Sequence, residues 1–202
     1  MNIPKNYKEL AYTICEKMNV KNILIVNTPK TGEFLDEMFL DKKPVRICYD
    51  PKDFNFLTNM LPRILVKFDL ICVDPYHEYK QSIDTFRLLI PLLRENGILI
   101  SHDCCPPNFE CSSPIYKTGE WCGVTYSAFI EIAYNYPEWY YTIINTDYGL
   151  GIISKKEIDF VKMIINNEKQ KIFLDLFIEN KYEEAYNYFK TNSSDIINLI
   201  EP

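Results

Sequence analysis

Residues 68–103 constrain this chain most, because they spell a strand, a helix and a second strand in immediate succession. FDLICV is an apolar run of strand length, and GILIS is another. Between them Ile83, Phe86, Ile90 and Leu93 repeat at helical spacing, predicting a helix over roughly 81–94 that Asn96-Gly97 would end. Such a pattern implies parallel strands joined by a crossover helix, with both strands finishing at the same edge of a sheet. Each strand ends in an acid, Asp74 and Asp103, and both histidines of the chain, His77 and His102, stand beside them. Two strands that deliver Asp and His to one edge predict the floor of an active site.

The flanking segments extend the sheet. Residues 4–18 read as a helix, with Leu10, Ile14 and Met18 on one face and Pro4 in the first turn. NILIV (22–26) is a buried strand, followed by NTPKTG and a helix over about 33–40. VRICY (45–49) is a second strand ending at Asp50, and a short helix after it meets Pro62. Residues 104–119 contain three prolines and small polar residues, predicting an irregular loop long enough to cover a site. A helix over 123–136 and a hairpin turning at Asp147-Tyr148-Gly149 complete an α/β unit. From Lys156 the pattern is helical, with breaks near Asn166-Asn167 and Asn180-Lys181. The expected division is an α/β domain over 1–155 and a helical extension over 156–202 packed on it.

Composition narrows the function classes. At 202 residues and 47% hydrophobic, the chain is long enough for a full core. A net charge of −6 without a basic block argues against a nucleic-acid binder. There is no apolar run of membrane-spanning length and no cleavable hydrophobic segment at the N-terminus. The expected location is the cytoplasm, where the seven cysteines would stay reduced. Cys104, Cys105, Cys111 and Cys122 follow C-C-x5-C-x10-C, which lacks the C-x2-C knuckle of a zinc site, and are expected as thiols of a lid.

Four segments together resemble one family. FDLICVDPYHEY is similar to the FDLIFIDGDHSY-type segment of small-molecule O-methyltransferases, and LIPLLRENGILISHD to their PLLKPGGILVLHD segment. GEWCGVTYSAF and NTDYGLGII are similar to GxWxGDxYKAF and DYGxGVI of a branch related to macrocin-type sugar O-methyltransferases. The resemblance covers about residues 66–154 and is to class I S-adenosylmethionine-dependent methyltransferases. It implies a three-layer, Rossmann-like sheet ending in an antiparallel hairpin. Two departures stand out. The glycine-rich turn after the first strand is reduced to NTPKTG, with Gly32 alone, and the gap from Asp50 to Phe68 is too short for the usual third strand. A sheet one strand shorter is therefore expected.

The resemblance also distributes roles. Asn27, Thr28, Thr31 and Gly32 of the reduced turn would meet S-adenosylmethionine, with Asp50 on its ribose hydroxyls and Asp74 beside it. The alternative for Asp50 is a helix N-cap, which the following Pro51 favours. Asp74 and Asp103 would hold Mg²⁺ or another divalent cation. With Asp74, His77 would form the catalytic pair, the imidazole taking the acceptor's proton. His102 would pack or hydrogen-bond at its strand end. Tyr76, Trp121 and Tyr126 would contact a small hydroxylated acceptor such as a sugar, or Trp121 would instead anchor the loop to the core. Gly123 would allow close approach to the acceptor. The implied activity is O-methylation of that acceptor. The alternative is a fold that has kept binding or scaffolding and lost catalysis. Association into a homo-oligomer stays open.

Overall fold

The computed structural model describes residues 3–29, 33–158, 161–163 and 167–202. Eight strands form one sheet: β1 (Ile23–Asn27), β2 (Val45–Cys48), β3 (Phe68–Val73), β4 (Leu93–Ser101), β5 (Tyr140–Ile144), β6 (Leu150–Ser154), β7 (Lys162–Met163) and β8 (Leu199–Ile200). Their spatial order is β2-β1-β3-β4-β6-β5-β7, with β8 also paired to β5. The first four strands are mutually parallel, and β6 lies antiparallel between β4 and β5. This is the expected α/β sheet closed by a hairpin. It is also short at one side: only helical turns separate β2 from β3, and β2 ends the sheet among the described residues.

Helices cover both faces unequally. One face carries α1 (Tyr7–Met18), whose Leu10, Ala11 and Ile14 pack on Ile23, Ile25, Ile98 and Ile100. The other carries α2 (Phe54–Met60), α3 (Tyr79–Leu89), α4 (Thr125–Asn135), α5 (Asn167–Ile178) and α6 (Tyr182–Ile197) over one larger core. The C-terminal helices contribute Phe173, Phe177, Phe189, Ile196 and Ile197 to that core. No helix among the described residues is long and apolar enough to cross a membrane.

Several element ends differ from the sequence expectation for physical reasons. α1 starts at Tyr7 because the Asn6 side chain caps it, accepting from Glu9 N at 2.9 Å. The helix expected over 33–40 is two 3₁₀ turns, Glu33–Glu37 and Leu40–Lys42, parted by Phe39 at φ 57°. The Arg46 guanidinium satisfies the carbonyls of Leu35 and Met38, so those turns do not need to extend into an α-helix. α3 stops at Leu89, where Pro91 forces a 3₁₀ turn, and Asn96-Gly97 lies inside β4. The expected pause near Asn180-Lys181 separates α5 from α6, whereas Asn166 lies outside the described residues.

Candidate active site

The parallel strands end together and hand their polar residues to one place. Asp74 N donates to Val26 O at 3.0 Å and His102 N to Val73 O at 3.1 Å, which carries the sheet ladder one step past β3 and β4. Asp103 then adopts φ 58°, a left-handed conformation that Asp tolerates better than most residues. Asp74, His77, His102 and Asp103 are all buried.

His77 lies at the centre. Its Nδ1 is 2.7 Å from the Trp121 carbonyl, and since a carbonyl only accepts, Nδ1 carries a hydrogen. Its Nε2 lies 3.0 Å from Asp74 Oδ1 and 2.9 Å from Asp103 Oδ2. Burial works against protonating this ring, but the Asp103 and Asp74 carboxylates outweigh it and push the pKa up to about 10. Conversely, burial works against the Asp103 charge, and the two imidazoles overcome it, holding the carboxyl well below the usual range. His77 is thus an imidazolium bound to two carboxylates.

His102 is not merely packed at its strand end. Its Nδ1 faces Asp103 Oδ2 at 3.3 Å and Asp74 Oδ2 at 3.6 Å, and its Nε2 faces Asp147 Oδ1 at 3.5 Å. Neither ring nitrogen makes a hydrogen bond of proper geometry. Desolvation opposes its charge, but the surrounding carboxylates, Asp103 first, raise its pKa well above the ordinary histidine value. Asp147 comes from the β5–β6 turn at φ 51°, and its other oxygen accepts from Tyr7 N at 2.9 Å. Tyr7 in turn donates to Ile100 O at 2.7 Å and accepts from Val73 N at 3.1 Å, bridging β3 and β4 just below the cluster. Sequence reasoning missed both Asp147 and Tyr7. The only signal for Asp147 was its place in a turn before Gly149.

A cavity of about 290 Å³ opens above these four side chains. Tyr76, Trp121, Tyr116, Tyr148 and Phe34 wall it, and Glu120 stands at its rim. Trp121 serves both roles weighed for it. It lines the cavity, and it ties the loop down by donating from Nε1 to Ser113 O at 2.8 Å. Tyr126 is placed elsewhere: it is 1% exposed and packs against Phe173 and Phe189 in the core. Gly123 approaches protein and not the cavity, since a Cβ there would lie 2.2 Å from His77 O. Cys104, Cys105, Cys111 and Cys122 are free and buried, and they do not form a metal cluster among the described residues.

A second cavity of about 230 Å³ lies beyond the ends of β1 and β2, lined by Pro29, Asp50, Pro51, Lys52 and Tyr76. Asp50 does two things. Its Oδ1 accepts from Lys52 N at 2.9 Å as a cap, and the residue lines the cavity. Asn27 and Thr28 are buried at the end of β1 and line neither cavity. Thr31 and Gly32 lie outside the described residues. Tyr76 belongs to both cavities and forms their common wall.

Comparison with known proteins places this arrangement. Residues 23–104 match the family model described as a methyltransferase domain. The fold is that of the class I methyltransferases. A Staphylococcus aureus protein assigned as a caffeoyl-CoA O-methyltransferase superposes with a TM-score of 0.52 at 17% identity, over 77% of this chain and 86% of its own. An assigned O-methyltransferase from Klebsiella pneumoniae gives 0.52 at 14% identity, over 76% and 81%. The O-methyltransferase TomG from Streptomyces achromogenes, solved with S-adenosylmethionine, gives 0.50 at 14% identity, over 72% and 77%. At these identities the likeness is one of fold. No curated protein matches the chain in sequence. In this methyltransferase fold the acid–histidine cluster sits beyond the carboxyl ends of the parallel strands, where α/β sheets bind their ligands.

Proposed function

We propose that the protein is an S-adenosylmethionine-dependent O-methyltransferase acting on a small hydroxylated acceptor, such as a sugar. The observation that carries this reading is the adjacency of the two cavities. One holds a strand-tip acid suited to ribose hydroxyls, the other holds the acid–histidine cluster, and among the described residues Tyr76 alone belongs to both. S-adenosylmethionine supplies an electrophilic methyl on sulfonium. Transfer of that methyl to the acceptor oxygen would break the sulfur–carbon bond and release the hydroxyl proton to the protein. The chain's task is alignment and proton removal.

Asp74, Asp103 and His102 offer ligand atoms that all lie within 4.8 Å of one another, and the His102 ring nitrogens are buried without a hydrogen bond. These residues fit a divalent cation. The carboxylates suit Mg²⁺, and an imidazole nitrogen shifts preference toward borderline metals such as Mn²⁺ or Fe²⁺. A cation here would polarise the acceptor hydroxyl and lower its pKa. It would also compete with the His77 proton for the same carboxylate charge, since both are held by Asp74 and Asp103. The neutral ring favoured in that state has the basic nitrogen that general-base catalysis needs. Asp147 would orient His102 from behind, as carboxylates commonly orient ligating imidazoles.

A non-catalytic scaffold is the weaker alternative. Two imidazoles and two carboxylates buried together carry a desolvation cost that apolar packing would avoid, and a scaffold gives no reason to keep them. Calorimetry with S-adenosylhomocysteine, with and without Mg²⁺ or Mn²⁺, tests the reading. Binding is expected, weakened by Asp50→Ala and left intact by His77→Ala, which stops turnover. Absence of S-adenosylhomocysteine binding under all these conditions overturns it.

A further inference from the structure

The acceptor cavity has a rim whose chemistry differs from its floor. Tyr116 and Trp121 meet edge to face with centroids 5.1 Å apart and planes at 84°, forming a corner of two aromatic walls. Tyr76 closes the next side, 5.3 Å from Trp121. Tyr148 also lines the cavity, and the Glu120 carboxylate pushes its pKa up to about 12. Glu120 is exposed. No Lys or Arg is among the described residues lining this cavity.

We propose that the acceptor carries a protonated amine, seated in the corner of Tyr116 and Trp121 against Glu120, while its hydroxyl reaches the Asp74–Asp103 floor. The acceptor class is an amino-bearing polyol, such as an aminated sugar. This inference rests on the methyltransferase reading of the same site. An ammonium gains from aromatic faces and from a carboxylate at close range. A neutral polyol gains less from both, through C–H contacts on the rings and neutral hydroxyl donors to the carboxylate. The His77 and His102 rings of the floor already face Asp74, Asp103 and Asp147, and no Lys or Arg lines the described wall to answer the charge of a phosphorylated or carboxylated acceptor. The floor supports a ligand independently of the rim, because the buried His102 lines the same cavity and its ring nitrogens face carboxylates at ion-pair distance without a hydrogen bond of proper geometry.

The test uses the full chain with S-adenosylhomocysteine present and divalent metal withheld, and three probes: D-glucosamine, D-glucose and D-glucose 6-phosphate. Binding is read by ligand-observed NMR titration. Glucosamine is expected to bind roughly tenfold tighter than glucose, the scale of one ammonium over an aromatic face beside a carboxylate, and glucose 6-phosphate more weakly than glucose. Glu120→Gln should bring glucosamine down to the level of glucose while leaving S-adenosylhomocysteine affinity unchanged. Equal binding of glucosamine and glucose overturns the proposal, as does tighter binding of the phosphate or failure of glucosamine to bind. So does a Glu120→Gln variant that loses affinity for S-adenosylhomocysteine, which would assign the carboxylate to the donor. If S-adenosylhomocysteine binds the wild-type chain and the amine preference is absent, only this inference falls. If S-adenosylhomocysteine does not bind at all, the methyltransferase reading falls with it.

Discussion

Gly123 and His77 show how closely single residues are matched here. Gly123 sits at φ 55°, and a Cβ on it would meet His77 O at 2.2 Å and His77 Cβ at 2.5 Å. The next residue's N–H donates to the same His77 carbonyl at 2.8 Å, so the contact cannot simply relax. Gly123→Ala should therefore cost about 1–3 kcal/mol in thermal or urea unfolding and should impair turnover. The charge state of His77 makes a second expectation. Its pKa is raised from the ordinary value to about 10 in the folded chain, against burial, by Asp103 and Asp74. A raised value means stabilisation that is complete below pH 6.5 and is lost as pH climbs toward 10. In EDTA the urea midpoint should fall across that window, and His77→Gln should lessen the fall, leaving the part that the likewise raised His102 contributes. A wild-type midpoint that stays level between those limits would contradict the imidazolium assignment. Asp74, His77 and Asp103 were legible from the sequence because each sits at a strand tip in an unbroken pattern. His102's role and Asp147 were not, because they depend on a turn 45 residues further along bringing a carboxylate behind the ring.

The loop between β4 and α4 is irregular in conformation yet held at several points. Trp121 is bonded through its indole to Ser113 O and through its carbonyl to His77 Nδ1. Cys122 N and Gly123 N both donate to Cys111 O at 3.0 Å. Trp121→Ala removes the side-chain anchor and one aromatic wall together. It should raise the acceptor's KM about tenfold or more, leave S-adenosylhomocysteine affinity near wild type, and expose the loop to limited proteolysis. An unchanged cleavage pattern would show that the backbone bonds alone hold the loop. The loop itself was legible from its prolines, but its contacts were not, because hydrogen bonds to distant carbonyls leave no local pattern. The end of α3 teaches the same lesson in reverse. Asn-Gly is a strong local turn signal, yet Gly97 lies within β4, where a Cβ would come 2.8 Å from Phe68 O beside the register shift between Phe68 and Leu70. Close strand approach overrode the local preference.

At the scale of the whole molecule, the sheet has lost cover at one side and gained it at the other. The β2 edge carries no further strand among the described residues, while β8 and the helices α5 and α6 add to the hairpin side. The sequence expectation sets a helical extension over 156–202 packed on the α/β part, and the packing makes that part depend on the extension. Phe173, Phe177, Phe189, Ile196 and Ile197 are buried in the same core as Tyr126, Phe129 and Tyr141, and each such side chain contributes about 1.5–3 kcal/mol on burial. Together they contribute on the order of the entire net stability of a domain, roughly 5–15 kcal/mol. The Gln170 amide also donates to Ile196 O at 2.9 Å inside this layer, so α5 and α6 are fastened to each other as well as to the sheet. A chain ending at residue 155 should therefore fail to give a cooperative thermal transition and should bind hydrophobic dye at room temperature. Phe189→Ala in the full chain should cost about 3–5 kcal/mol, although it lies on the last helix and contacts neither cavity. A soluble truncated chain that melts cooperatively and binds S-adenosylhomocysteine would show that the last two helices are an appendage. Loss of both properties together would show that this methyltransferase fold has been completed from its C-terminus.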